Sequence, residues 1–248
     1  MNDFERASVL SEALPYIRSY SKKVVVVKYD NKAVQSRELK KAVISDIVLL
    51  TLVGVRVVVV HGVDTMETGK EIVSMITSEG GKAFSFSGLD ASLFTARKLK
   101  DNTGKGMAGE LVSINSELVN LALDNNFIPI ISSTARGIDN EEIYSINADT
   151  AAMELAVNLG SEKLILLTDT NGVQNKDGSL ISELPLSMVR PLIREGTISG
   201  EMIPRVECCV KAVRKGIQRA HILDGRVPHS ILVEMLTDSG IGTMILHD

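Results

Sequence analysis

Short, uninterrupted apolar runs punctuate the chain at residues 24–27, 57–60, 83–86, 128–131 and 163–168. Runs this short, rich in β-branched residues, predict strands covered on both faces, where polar alternation disappears. Between them the apolar spacing lengthens to that of a helix. Leu39, Val43, Ile47 and Leu50 fall on one face, as do Ala152, Leu155, Ala156 and Leu159, the stripe that a helix packed on a sheet needs. This alternation predicts an α/β fold with a doubly wound, mainly parallel sheet. Two polar-alternating stretches between Leu93 and Ile114 flank a Gly-rich segment at 101–109 and predict a hairpin on the rim. Residues 6–20 form an amphipathic helix with Val9, Leu10, Ala13 and Ile17 on one face. It either packs on a neighbouring subunit or caps its own domain.

Length and charge narrow the function classes. A chain of 248 residues that is 44% hydrophobic buries a sizeable core as one unit or as two lobes sharing a sheet. Its net charge of −4, with both signs scattered, leaves no basic stripe for a nucleic-acid partner. Cys208 and Cys209 are adjacent in a helical pattern, where a bridge between them would be strained; a reducing compartment and no metal site follow. No apolar run approaches the roughly 20 residues of a membrane span, and acidic Asp3 and Glu5 do not suit a signal peptide. The expectation is a soluble, intracellular protein.

In open α/β sheets, ligands gather at the carboxyl ends of the strands, and four segments there can carry chemistry. Lys28 ends the first apolar run just before a turn, either as solvated surface or as a cation for phosphate oxygens. His61-Gly62-Val63-Asp64 leads into a helix from about Thr65, with Asp64 as its N-cap. Asp149, in Ser145-Ile-Asn147-Ala-Asp-Thr150, reads alone as an N-cap, and Asp169 with Gly172 as a turn. Gly196 to Val206 is a Gly-bounded loop opening a helix with Arg205 in its first turns, a recurring way of holding phosphates.

Taken together, the Lys28 strand, the Asn147 to Thr150 turn, residues 164–173, the Gly196 loop and the tail 221–244 resemble acetylglutamate kinases in order and spacing. That branch belongs to the amino-acid kinase family, and the cyanobacterial and red-algal plastid type is nearest. The resemblance implies a three-layer α/β sandwich with an N-terminal oligomerisation helix. It also implies a single domain over 1–248, with a substrate lobe at about 22–158 and a nucleotide lobe at about 159–248. The implied activity is ATP-dependent phosphorylation of the side-chain carboxylate of N-acetyl-L-glutamate in arginine biosynthesis, with Mg2+ accompanying the nucleotide. On the matching positions, Lys28, Asp149 and Arg205 are the catalytic residues, and Gly62, Ser145 and Asn147 meet the substrate. Thr168, Asp169, Gly172, Gly200 and Met202 line the nucleotide, and Tyr16, Glu234 and Gly240 belong to an arginine effector site. The implied setting is a homo-oligomer (dimer or hexamer) in cytoplasm or plastid stroma, with the PII signalling protein as a partner.

This chain departs from the family pattern where phosphate is handled. Asp30 and Asn31 replace two glycines after the lysine, and Val63 and Asp64 interrupt the glycine run after His61. Arg205 stands for a lysine, Glu201 for a glycine and Ser145 for an asparagine. Carboxylates and bulk beside a phosphate site weaken anion binding, and an arginine is not a neutral stand-in for lysine. After Gly62 the chain is several tens of residues shorter than the family, without its lid and its substrate-gripping arginine, although one helix at 65–78 still suffices for a crossover. The alternative reading is a catalytically impaired homologue that serves as a non-catalytic or regulatory subunit.

Overall fold

Successive side chains of the first strand travel to opposite faces: Val26 joins one apolar cluster, while Val25, Val27 and Tyr29 join the other. The computed structural model describes residues 2–62, 66–99, 108–139 and 142–248. Its first half runs α1 (Asp3–Glu12), α2 (Leu14–Tyr20), β1 (Val24–Tyr29), α3 (Arg37–Leu52), β2 (Arg56–His61), α4 (Met66–Ser78), β3 (Ala83–Ser87), β4 (Phe94–Lys98), β5 (Gly109–Ile114) and α5 (Glu117–Asp124). The second half runs β6 (Ile128–Ser132), β7 (Thr134–Gly137), β8 (Ile143–Ser145), α6 (Ala148–Asn158), β9 (Lys163–Thr168), β10 (Glu183–Pro185), α7 (Leu186–Arg194), α8 (Met202–Arg214), β11 (Arg219–Asp224), α9 (Ser230–Leu236) and β12 (Thr243–Leu246).

Eight strands form one sheet in the order β10-β12-β11-β9-β1-β2-β6-β3. Six of them run parallel from β11 to β3, and β12 turns antiparallel to β11. The cluster on one face takes in α6 and α8, and the other takes in α3 and α4, with α9 packed on α3. The result is the three-layer α/β architecture, and the five apolar runs are five of its parallel strands. A second sheet, β5-β4-β7-β8, lies at the rim. Its β4 and β5 pair antiparallel with a bulge between Thr95 and Ala96, so the expected hairpin exists, although its tip at 100–107 lies outside the described residues. So do Val63, Asp64 and Thr65, including the proposed Asp64 cap.

The single N-terminal helix expected at 6–20 is instead two. Pro15 lies in the first turn of α2, and Ala13 forms the joint, consistent with a ring that cannot continue a helix from its interior. Helix α2 packs on α9 of the same chain, where the Tyr16 hydroxyl donates to Asp238 and Lys163 sits 4.9 Å above the Tyr20 ring. Helix α2 therefore has a seat on its own domain. No helix among the described residues is long and apolar enough to cross a membrane.

One polar residue interrupts the apolar stripe of α3. Asp46 is fully buried, accepts from the Leu232 amide at 3.4 Å and contacts His229 Nδ1 at 2.6 Å. It serves the free amides at the start of α9, because His229, at the N-cap position, supplies no side-chain cap of its own. Burial pushes the Asp46 carboxyl above its ordinary range despite His229. Asp46→Ala should leave these donors unpaired and cost about 2 kcal/mol; urea unfolding should show the loss with an unchanged m-value.

Candidate active site

The parallel register aligns the carboxyl ends of the central strands. Lys28 pairs with Val60 and Leu166, Tyr29 with His61, and Asp224 with Thr168. Side chains at this edge and from the helices that begin there therefore converge. Lys28 is 8% exposed. Its Nζ lies 2.8 Å from Asp30 Oδ2 and 3.1 Å from Asp149 Oδ1.

The local sequence explains why Asp149 is free to do this. Asn147, not Asp149, caps α6: its Oδ1 accepts from the Thr150 amide at 3.0 Å. Asp149 thus sits inside the first turn, where a carboxylate suits the helix dipole, and turns to Lys28. Asp30 is held from the other side, its Oδ1 accepting from the Lys32 amide at 2.9 Å. Asn31 ties the same turn to α4 by donating to Thr68 Oγ1 at 3.0 Å.

Burial pulls the Lys28 ammonium down, but Asp149 and Asp30 outweigh it and hold it above the ordinary lysine value. Burial likewise pushes Asp30 up, yet Lys28, the Lys32 amide and the charge of Arg205 keep it below the usual carboxylate range. Arg205, in the first turn of α8, makes two long contacts of 3.4 Å to Asp169 Oδ1. The cluster therefore sets two cations, Lys28 and Arg205, against three carboxylates: Asp30, Asp149 and Asp169.

A cavity of about 740 Å3 opens beside it, lined by Lys28, Ser145, Asn147, Asp149, Glu201 and Arg205, with the β5 side of the rim hairpin as its far wall. Cys208 also faces it, donating its thiol to the Asp149 carbonyl at 3.3 Å. Burial pushes that thiol up to about 12, so Cys208 is a neutral packing group rather than a nucleophile. Gly62 does not line this cavity.

A second hollow of about 350 Å3 is formed by Asp169, Asn171, Gly172, Thr197, Met202 and Arg226, among others. Gly172 has φ +94°, and a Cβ there would come within 2.6 Å of Thr243 Oγ1, which accepts from the Val173 amide. Only glycine satisfies both demands. Gly200, with φ +55°, shapes the neighbouring turn into α8 without lining the hollow. Thr168, expected to line the nucleotide, is fully buried, and its hydroxyl contacts the Leu223 carbonyl and Thr170. It braces the loop from beneath. Arg226 was missed by sequence reasoning, because its place here depends on a loop ion pair with no periodic signal.

A third cavity, about 260 Å3, brings together Tyr16, Glu234 and Gly240 beside Lys163 and Asp238. Glu234 is fixed by buried His221, at 2.8 Å, and by the Ile241 amide. Burial lowers the His221 imidazole, whereas His221 and the Ile241 amide hold Glu234 below its ordinary range. A Cβ on Gly240 would stand 3.1 Å from the Glu234 carboxylate.

Comparison with known proteins adds independent findings. The family model described as "Amino acid kinase family" matches residues 63–224. The acetylglutamate kinase of Clostridium beijerinckii is 42% identical over 283 aligned positions, covering 99% of each chain. That of Synechococcus elongatus is 42% identical over 280, covering 98% of this chain and 92% of its own. A match of 283 positions against 248 residues leaves at least 35 with no counterpart here. Among solved structures, N-acetylglutamate synthase from Neisseria gonorrhoeae, complexed with coenzyme A and N-acetyl-glutamate, superposes with a TM-score of 0.84 at 22% identity. The match covers 98% of this chain and 63% of that one. Carbamate kinase from Giardia lamblia bound to AMP-PNP gives 0.66 at 18% identity, covering 93% and 100%. At these identities, the structural likeness speaks for the fold alone.

Proposed function

The chain belongs to the amino acid kinase family, and from that premise we propose that it transfers the γ-phosphoryl group of ATP to the side-chain carboxylate of N-acetyl-L-glutamate. The observation that carries the reading is the Lys28–Asp149 pair at the sheet's carboxyl edge, with Arg205 entering from α8. A carboxylate acceptor is already deprotonated at neutral pH and needs no general base. What remains is positioning and neutralisation of charge on the phosphoryl oxygens. Lys28 supplies a compact ammonium for those oxygens, Asp149 fixes its direction, and Arg205 reaches the nucleotide side. The larger cavity takes the acceptor and the hollow at Gly172 takes the nucleotide.

Magnesium would enter with the nucleotide. Among the described residues, no group of three His, Cys, Asp or Glu side chains suits a metal ion. Asp149 and Asp30 are spent on Lys28, so the donor set fits an ion held mainly by phosphate oxygens and water. The ion would offset charge between the phosphates.

An arginine effector fits the cavity of Tyr16, Glu234 and Gly240, where Glu234 and Asp238 supply acceptors for a guanidinium. Homo-oligomer formation through the N-terminal helices, PII as a partner, and a cytoplasmic or plastid setting follow from the resemblance alone. The contact between Asp30 and Lys28, together with the missing positions, favours a second reading: an impaired, regulatory homologue whose phosphate seat is filled by its own carboxylate.

Trapping acyl phosphate with hydroxylamine separates the two. Hydroxamate that requires both ATP and N-acetyl-L-glutamate is the expected result. Folded protein that binds arginine but forms no hydroxamate would establish the regulatory reading.

A further inference from the structure

The loop after β11 holds a cation that the scheme above does not use. Asp224 is 4% exposed and closes a fork around Arg226. Its Oδ1 accepts from the Arg226 backbone amide and from Nε, each at 2.9 Å, and its Oδ2 accepts from Nη2 at 2.8 Å. Nη2 also donates to Asn171 Oδ1 at 3.1 Å. A guanidinium held by one edge in this way is oriented before any ligand arrives, and little side-chain entropy remains to be lost on binding.

Among the described residues Nη1 has no partner, so its two N–H donors remain for an incoming acceptor. Among the described residues, Arg226 is also the only basic one lining the hollow formed by Asp169, Asn171, Gly172 and Met202. Asp169 lies between two guanidiniums: it contacts Arg205 at 3.4 Å and acts electrostatically on Arg226. The Arg226 side chain is 53% exposed, and it lines an open hollow together with Gly172 rather than lying flat on a convex surface.

We propose that Arg226, pre-set by Asp224 and Asn171, binds phosphate oxygens of the nucleoside di- or triphosphate in this hollow. The proposal rests on the reading of the chain as a nucleotide-dependent kinase. It adds a third cation to Lys28 and Arg205 for the phosphate chain, and it makes Asp224 a positioning residue rather than a ligand. Unlike a base-stacking role, this one depends on the ligand's charge: affinity must fall as phosphates are removed.

Calorimetric titration with ADP, AMP and adenosine tests this in the full chain, with melting temperature as the folding control. Arg226→Gln should weaken ADP about tenfold, weaken AMP less and leave adenosine unchanged. Arg226→Lys keeps the charge but loses the fork, and should fall between the two. Asp224→Asn should weaken ADP while leaving adenosine unchanged. In the hydroxamate assay Arg226→Gln should raise KM for ATP but not for N-acetyl-L-glutamate. Wild-type binding of ADP with no change in Arg226→Gln overturns this inference alone. An equal loss for ADP and adenosine overturns it in favour of a base-side or purely structural role. If the wild type binds no nucleotide at all, the kinase reading falls with it.

Discussion

Replacing Lys28 by methionine is expected to lower kcat/KM for hydroxamate formation by about 10^3-fold, the largest loss from any single change in this chain. Methionine retains most of the length and apolar stem of lysine, so packing against the strand survives. What disappears is the ammonium that faces the cavity. Without it, Asp30 and Asp149 confront each other across a partly buried gap with no cation between them, and removing one partner from such a cluster costs about 3 kcal/mol of stability or more. Melting curves must therefore accompany the kinetics, and Lys28→Arg, which restores charge without the compact head group, should recover stability more fully than rate.

Asp30→Asn is expected to act in the opposite direction, tightening Mg·ATP about tenfold and raising kcat/KM by a similar factor. As folded, the site sets Lys28 and Arg205 against Asp30, Asp149 and Asp169. An incoming polyphosphate meets a net negative seat, and Lys28 is already occupied at 2.8 Å. Two charges 4 Å apart at a partly solvated site interact by up to about 4 kcal/mol, before screening and the cost of freeing Lys28 from the asparagine are deducted. About tenfold is what survives.

The pH dependence follows from the same pair. Asp30 is depressed, so its contribution is present above the unfolded carboxylate value and is lost as pH falls through the folded one. Lys28 is raised, so its contribution is present below the unfolded lysine value and is lost as pH rises through the folded one. The contact is therefore intact from about pH 4 to about pH 10, and acid within the physiological range does not release Lys28. Only a ligand or a mutation does.

How much of this was legible depended on what each residue needs from its neighbours. The five central strands read directly from the sequence because burial on both faces leaves continuous apolar runs such as 24–27. Strand β11 mixes Arg219 and His221 into its run, and β7, β8 and β10 are too short to stand out; they exist because a partner strand is there to receive them. In Asn147-Ala-Asp149 either acidic or amide side chain could cap a helix, and only the backbone shows that Asn147 does, which frees Asp149. Asp46 gave no signal of its role in the sequence, because its partner His229 lies far along the chain. Conversely, Tyr16, Glu234 and Gly240, chosen by resemblance, do share one cavity. The charge of Asp30 was evident from sequence, whereas its contact with Lys28 was not, because strand-end geometry decides whether residues two apart meet across a turn.

Whether Lys28 seats the phosphates and Asp30 competes for it is decided by calorimetric titration of Mg·ATP into wild type, Lys28→Met and Asp30→Asn. Affinity should rise in the order Lys28→Met, wild type, Asp30→Asn, with all three proteins folded. Equal affinities across the three would place the phosphates elsewhere and contradict it.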